Sequence, residues 1–171
     1  MPNSHLISIA EVMWGIVLIA VTMAIHAFGM LTTLAASRTL WRGRPLRRGD
    51  FAGVRVLIIA SWMIVVVHLV EVMVWAGFLL WRDAMPSAAD AFYYTLLQYV
   101  TVGSELSLPE RWRLLGGMIA MAGLLTFAWS TTVLLTLAQR FEDAQLKAPR
   151  GHRRSVHEGA TVPDPGEAPH A

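Results

Sequence analysis

The sequence predicts an all-α membrane protein with three transmembrane helices and a shorter re-entrant helix and loop between the second and third. Three observations carry that expectation. Of 171 residues, 55% are hydrophobic and 15% charged, against roughly 25% charged in a typical soluble domain. No Asp, Glu, Lys or Arg occurs between Glu11 and Arg38 or between Arg113 and Arg140. Each gap holds 26 residues, more than the roughly 20 that take a helix across a bilayer. The third observation is a stretch, Ala84 to Leu108, that is apolar but too short and too polar to span and return. This composition excludes a soluble globular enzyme, and no catalytic activity is expected.

The first apolar segment runs from about Ile7 to Ala36, with Glu11 near its start. The second runs from about Val54 to Trp81 and, beyond Arg55 at its start, is interrupted only by His68 and Glu71. The third runs from about Leu114 to Ala138. All three are rich in Leu, Ile, Val, Met and Ala over lengths no strand reaches, so each reads as a spanning helix. Met85-Pro86-Ser87 reads as a turn into a short helix from Ala88 to about Val100. Thr101 to Glu105 is poor in helix formers, and Leu108-Pro109 ends the segment. Non-helical backbone at membrane depth survives only when packed in protein or lining a water-filled path.

Arg38, Arg42, Arg44, Arg47, Arg48 and Arg55 crowd the first connection, and Arg140, Lys147, Arg150, Arg153 and Arg154 follow the third helix. The segment before the first helix has no Lys or Arg. The positive-inside rule then places the N-terminus outside, the first connection and C-terminus inside, and the re-entrant loop outside. The expected location is the cell inner (cytoplasmic) membrane. The pI is near 9.5, but the bases flank apolar runs, so topology accounts for them and no nucleic-acid partner is expected. The Arg42 to Arg48 cluster would also suit anionic lipid. Cysteine is absent, which excludes disulfides and thiolate sites. No secretory signal is expected, since Met1 to His5 carries no basic residue. The chain divides into residues 1–53 (first helix and Arg-rich connection), 54–141 (second helix, loop and third helix) and 142–171, a tail expected to be disordered and cytoplasmic.

The run Phe92-Tyr93-Tyr94-Thr95-Leu96-Leu97-Gln98-Tyr99-Val100-Thr101-Val102-Gly103, followed by Leu108-Pro109-Glu110-Arg111-Trp112-Arg113 and an apolar helix with Gly123, resembles tetrameric potassium channels. The likeness is to small bacterial members of the two-helix pore-domain family and covers Val54 to Phe141. It implies a homotetramer in the lipid bilayer that passes potassium or another monovalent cation, with no resident cofactor. Tyr94, Thr95, Gln98 and Tyr99 would belong to the pore helix, and Thr101, Val102, Gly103, Ser104 and Glu105 to the selectivity filter. Backbone carbonyls would replace the hydration shell of the ion, and the C-terminal end of the half-helix would face it with its negative dipole. Gly123 would be a gating hinge, or else a small residue for close helix contact. The family pattern continues as TVGYGD; here Ser104 stands for the aromatic, Glu105 for the second glycine and Leu106 for the acid. Four Glu105 carboxylates would ring the outer mouth and select cations by charge, so a non-selective cation channel is the alternative. A non-conducting membrane scaffold or accessory subunit is another.

His68 and Glu71 lie one helical turn apart on one face. Counted from Arg55, His68 stands roughly 20 Å above the inner end of its helix, and His26, counted from Arg38, stands at about 18 Å. The two histidines are thus expected at one depth, with Ser130 to Thr132 slightly lower. Ionisable groups inside a membrane are costly and functional by default. Three readings of His26, His68 and Glu71 stay open: a hydrogen-bonded tie between helices, a pH-sensing pair, or a two-histidine, one-carboxylate metal site. Trp14, Trp41, Trp81 and Trp112 are expected as interface anchors, and Trp62, Trp75 and Trp129 in helix packing. Glu110 and Arg111 read as exposed rim residues.

Overall fold

The computed structural model describes residues 9–42 and 52–147. Four α-helices follow one another: α1 (Ile9–Arg42), α2 (Ala52–Trp81), α3 (Ala88–Tyr99) and α4 (Leu114–Lys147), with a single 3₁₀ turn, Glu110–Trp112, before α4. Among the described residues there is no strand. α1, α2 and α4 are each long and apolar enough to cross a membrane. The 34 residues of α1 and of α4 extend each helix to about 51 Å, beyond the ~30 Å hydrocarbon core. Both therefore run further than their apolar stretches, ending among charged residues. Residues 142–147, expected at the start of a disordered tail, instead continue α4, because its helical run does not stop at the end of the apolar stretch. Residues 148–171 and the Arg44 to Arg48 cluster lie outside the described residues.

α3 has 12 residues and is only about 18 Å long. Ser87 caps its start: the hydroxyl accepts from the Asp90 amide at 3.0 Å and donates to the Asp90 carboxylate at 2.7 Å. Its far end closes with a Schellman motif. The Thr101 amide donates to the Gln98 carbonyl at 2.9 Å and the Val102 amide to the Leu97 carbonyl at 3.0 Å. α2 ends in the same way, through Asp83 and Ala84 onto Leu80 and Leu79. The residue in the left-handed position differs between the two. Asp83, at φ +50°, tolerates that conformation. Thr101, at φ +61°, is β-branched and strained there.

α4 begins with a cap supplied from far away in sequence. The Leu114 amide donates to Glu11 Oε1 at 2.5 Å, so a carboxylate from the first turn of α1 sits at the positive end of the α4 dipole. Glu11 is buried as a result.

The interior is built in three layers. At one end Leu18, Val72, Trp75, Leu79, Tyr94, Trp112, Leu115 and Ile119 form the larger apolar cluster. At the other end Met30, Ala60, Ile64, Val133 and Leu137 form the smaller one. Between them lie Thr22, His26, His68, Glu71, Thr126 and Ser130, all buried. Each long helix turns one stripe inward at three- and four-residue steps, as in Leu115, Ile119, Ala122, Thr126, Ser130, Val133 and Leu137 of α4. The outward faces carry Phe28, Leu31, Ile58, Val66, Met73 and Leu124. A surface so apolar suits a lipid bilayer rather than water.

Trp75 packs in the core, as expected, and donates Nε1–H to Thr22 Oγ1 at 2.9 Å. Trp62 departs from the packing expectation: it is 67% exposed, because the inward stripe of α2 passes through other positions. Trp129 is 43% exposed yet packs on the His26 ring of α1, 5.5 Å centre to centre. Trp112 is buried beneath the Arg82 guanidinium, 5.1 Å from the ring centre. Trp14 packs edge-on against Trp81. Glu110 and Arg111 are exposed. The side chain of Trp41 lies outside the described set.

Candidate functional site

The middle layer gathers side chains from all four helices. α1 contributes His26, α2 His68 and Glu71, α3 its last residue Tyr99, and α4 Thr126 and Ser130. Glu71 is fully buried. Its Oε1 meets His26 Nδ1 at 2.9 Å, its Oε2 lies 3.3 Å from His68 Nδ1, and the Tyr99 hydroxyl donates to Oε2. His68 Nδ1 is also 3.0 Å from the Tyr99 oxygen. Thr126 Oγ1 sits 2.6 Å from the same phenol oxygen. The far side of both rings meets one hydroxyl, since Ser130 Oγ is 3.1 Å from His68 Nε2 and 3.4 Å from His26 Nε2.

Local sequence explains this convergence. Thr22 and His26 are four residues apart on α1, and Thr126 and Ser130 are four apart on α4, so each pair stays on one stripe. His68 and Glu71 are three apart and share a face of α2. The rings of His26 and His68 lie 5.3 Å apart, centre to centre. Donor atoms of His26, His68 and Glu71 lie within 4.8 Å of one another, close enough for one metal ion. Imidazole and carboxylate donors of this kind suit zinc or a neighbouring transition ion.

Tyr99 ties this layer to the loop that follows. Glu71, its partner, lies ten residues before the end of α2, about 15 Å back along that helix. Gly123 stands beside it on α4, where a Cβ would run into the Tyr99 carbonyl oxygen. The glycine is therefore required for close approach of α3 to α4. Tyr94 is buried with its hydroxyl against Gly116, and Gln98 lies alongside, half-buried. Thr95 is fully buried, and its hydroxyl has no partner among the described residues.

Beyond Tyr99 the chain opens out. Thr101, Val102 and Glu105 are exposed, while Gly103 and Ser104 are half-buried. Gly103 has φ +82°, a left-handed backbone that suits glycine. Its amide, like that of Val102, turns back to the Leu97 carbonyl. Among the described residues, no hydrogen bond ends on the carbonyl oxygens of Thr101, Val102 or Gly103. Ser104 Oγ accepts from the Leu106 amide at 3.1 Å.

The structure thus unites His26, His68 and Glu71, and joins to them Tyr99, expected only as part of a pore helix. Thr126 is the member that the sequence reading passed over. Its four-residue spacing from Ser130 was the available signal. Thr101 to Glu105 stand apart from the buried layer, on an exposed loop. Comparison with protein-family models, with curated proteins and with solved structures finds no match to this chain.

Proposed function

We propose that the chain is one subunit of a homotetrameric pore-loop channel that passes potassium or another monovalent cation down its gradient. In this reading the N-terminus is outside and the C-terminus inside an inner membrane. The observation that carries it is α3, with 12 residues too short to cross, ending at Tyr99 against Glu71, ten residues back from the end of α2. A helix that enters the bilayer, stops part-way and returns as extended chain is the form a pore loop takes. Two further features support it. Among the described residues nothing donates to the carbonyls of Thr101 to Gly103, so four copies around an axis would present them to a dehydrated cation. The strained left-handed backbone of Thr101 is of the kind that gathers at functional sites.

In this mechanism the half-helix directs its negative end toward the cation path. The Thr101 hydroxyl adds a ligand below the carbonyls of Val102 and Gly103. One loop cannot encircle an ion, so the site is complete only in the tetramer. Ser104 and Glu105 favour a second reading, a pore that does not discriminate among monovalent cations, because a carboxylate ring attracts by charge alone.

The test is a planar bilayer containing the purified protein under opposed potassium and sodium gradients. A reversal potential at the potassium equilibrium value is expected for a selective pore, and a value near zero for the second reading. Absence of current in every condition, or cross-linking that stops at dimers, removes both and leaves a scaffold or accessory subunit.

A further inference from the structure

We infer that His26, His68, Glu71 and Tyr99 form a binding site for one divalent transition-metal ion, zinc by donor set, clasping α1, α2 and α3 at mid-height. The inference goes beyond the channel reading and stands on the buried layer alone.

Charge is the first reason. Glu71 and His26 are fully buried, and the partners of Glu71 among the described residues are His26, His68 and Tyr99, with no Arg or Lys. A carboxylate taken out of water needs a positive charge close by. The described residues supply no fixed one, which leaves that part to a mobile cation or a proton.

Donor spacing is the second. Ligands about 2.0–2.1 Å from a tetrahedral zinc lie about 3.3 Å from one another. Here the separations are 2.9 Å for His26 Nδ1 to Glu71 Oε1, 3.3 Å for His68 Nδ1 to Glu71 Oε2, and 3.0 Å for His68 Nδ1 to Tyr99 Oη, while Tyr99 Oη and Glu71 Oε2 stand closer together, as a hydrogen-bonded pair. Both rings turn the same nitrogen toward the carboxylate. Two imidazoles, a carboxylate and a phenol oxygen form a set that zinc accepts and that magnesium or calcium, which favour oxygen alone, do not.

The proton inventory is the third. With a metal on both Nδ1 atoms, each Nε2 carries a proton, and the two lone pairs of Ser130 Oγ accept both. Without it, one neutral ring must donate to Ser130 Oγ through Nε2 and the other accept the single Ser130 proton there, so the two rings need opposite tautomers. A ligating histidine usually secures its other nitrogen in this way. The side chain of His68 is 11% exposed, whereas those of His26 and Glu71 are not exposed at all, so His68 marks the way in.

The experiment uses the full-length chain, free of any purification tag, stripped with chelator and titrated with zinc chloride in detergent. Four further histidines, His5, His152, His157 and His170, are first replaced by Asn so that they add no background. Bound metal is counted by mass spectrometry after desalting, and Tm is followed in parallel. The expected result is one zinc per chain, with a rise in Tm that magnesium does not reproduce. Glu71→Gln and His68→Asn should abolish retention. Ser130→Ala, which removes no ligand and little volume, should weaken zinc roughly 10- to 100-fold while the metal-free protein still folds. No retained zinc, or retention indifferent to these substitutions, overturns the site. A Tm that follows pH but ignores zinc also overturns it and assigns the missing positive charge to a proton.

Discussion

Two residues along the chain, at Tyr99 and Thr101, the molecule passes from one way of treating polar groups to its opposite. In the middle layer Glu71 is engaged by His26, His68 and Tyr99, and both histidines close onto Ser130. In the loop, the carbonyls of Thr101, Val102 and Gly103 accept nothing among the described residues, and Val102 is 73% exposed. A closed buried network positions its members, because each loses a partner if any other moves. Open carbonyls must find water, an ion or another copy of the chain. The layer therefore sets the height at which α3 ends, and the loop is what that height presents.

The strongest way to break this contrast is to open the layer. Glu71→Ala leaves two imidazoles and a phenol without their common acceptor. It should destabilise the protein by about 3–5 kcal/mol, read as a lower midpoint of denaturant unfolding in detergent. A loss under about 1 kcal/mol would mean that water already satisfies the cluster. Next in size is the joint between the regions. Gly123→Val forces a side chain onto the Tyr99 carbonyl and should cost about 1–3 kcal/mol. Unchanged stability and unchanged cross-linking between α3 and α4 would show that the helices separate freely.

In the loop the expected sign reverses. Thr101→Gly relieves a β-branched residue at φ +61° and should stabilise the chain by about 1 kcal/mol. Under the channel proposal the same variant loses a hydroxyl ligand and carries less current. A variant both less stable and fully conducting would deny the loop its special backbone. The smallest effect is expected at the edge of the layer. A double-mutant cycle of Trp75→Phe with Thr22→Val separates their hydrogen bond from the packing that Trp75 also loses, and should give a coupling of about 0.6 kcal/mol, the usual value between membrane helices.

Much of the frame is legible along the chain. The boundaries of α3 follow from Ser87 and from Thr101, and the depth of His26 and His68 from counting residues between charged ends. The partner of Tyr99 is not legible, since Glu71 is 28 residues away. Nor is the cap that Glu11 gives to α4, across 103 residues. The outward turn of Trp62 is hidden for a related reason: helices apolar on every side carry no signal of which stripe faces inward.

Apolar length, the short span of α3 and the height of each polar group along its own helix are properties of local sequence, because the helical rise per residue is fixed by the backbone. Rotation about each helix axis is not local. The tertiary structure alone decided that His26, Glu71, Tyr99 and Ser130 turn toward one another, because a buried carboxylate is tolerable only where several helices direct their hydrogen-bonding groups toward it at once.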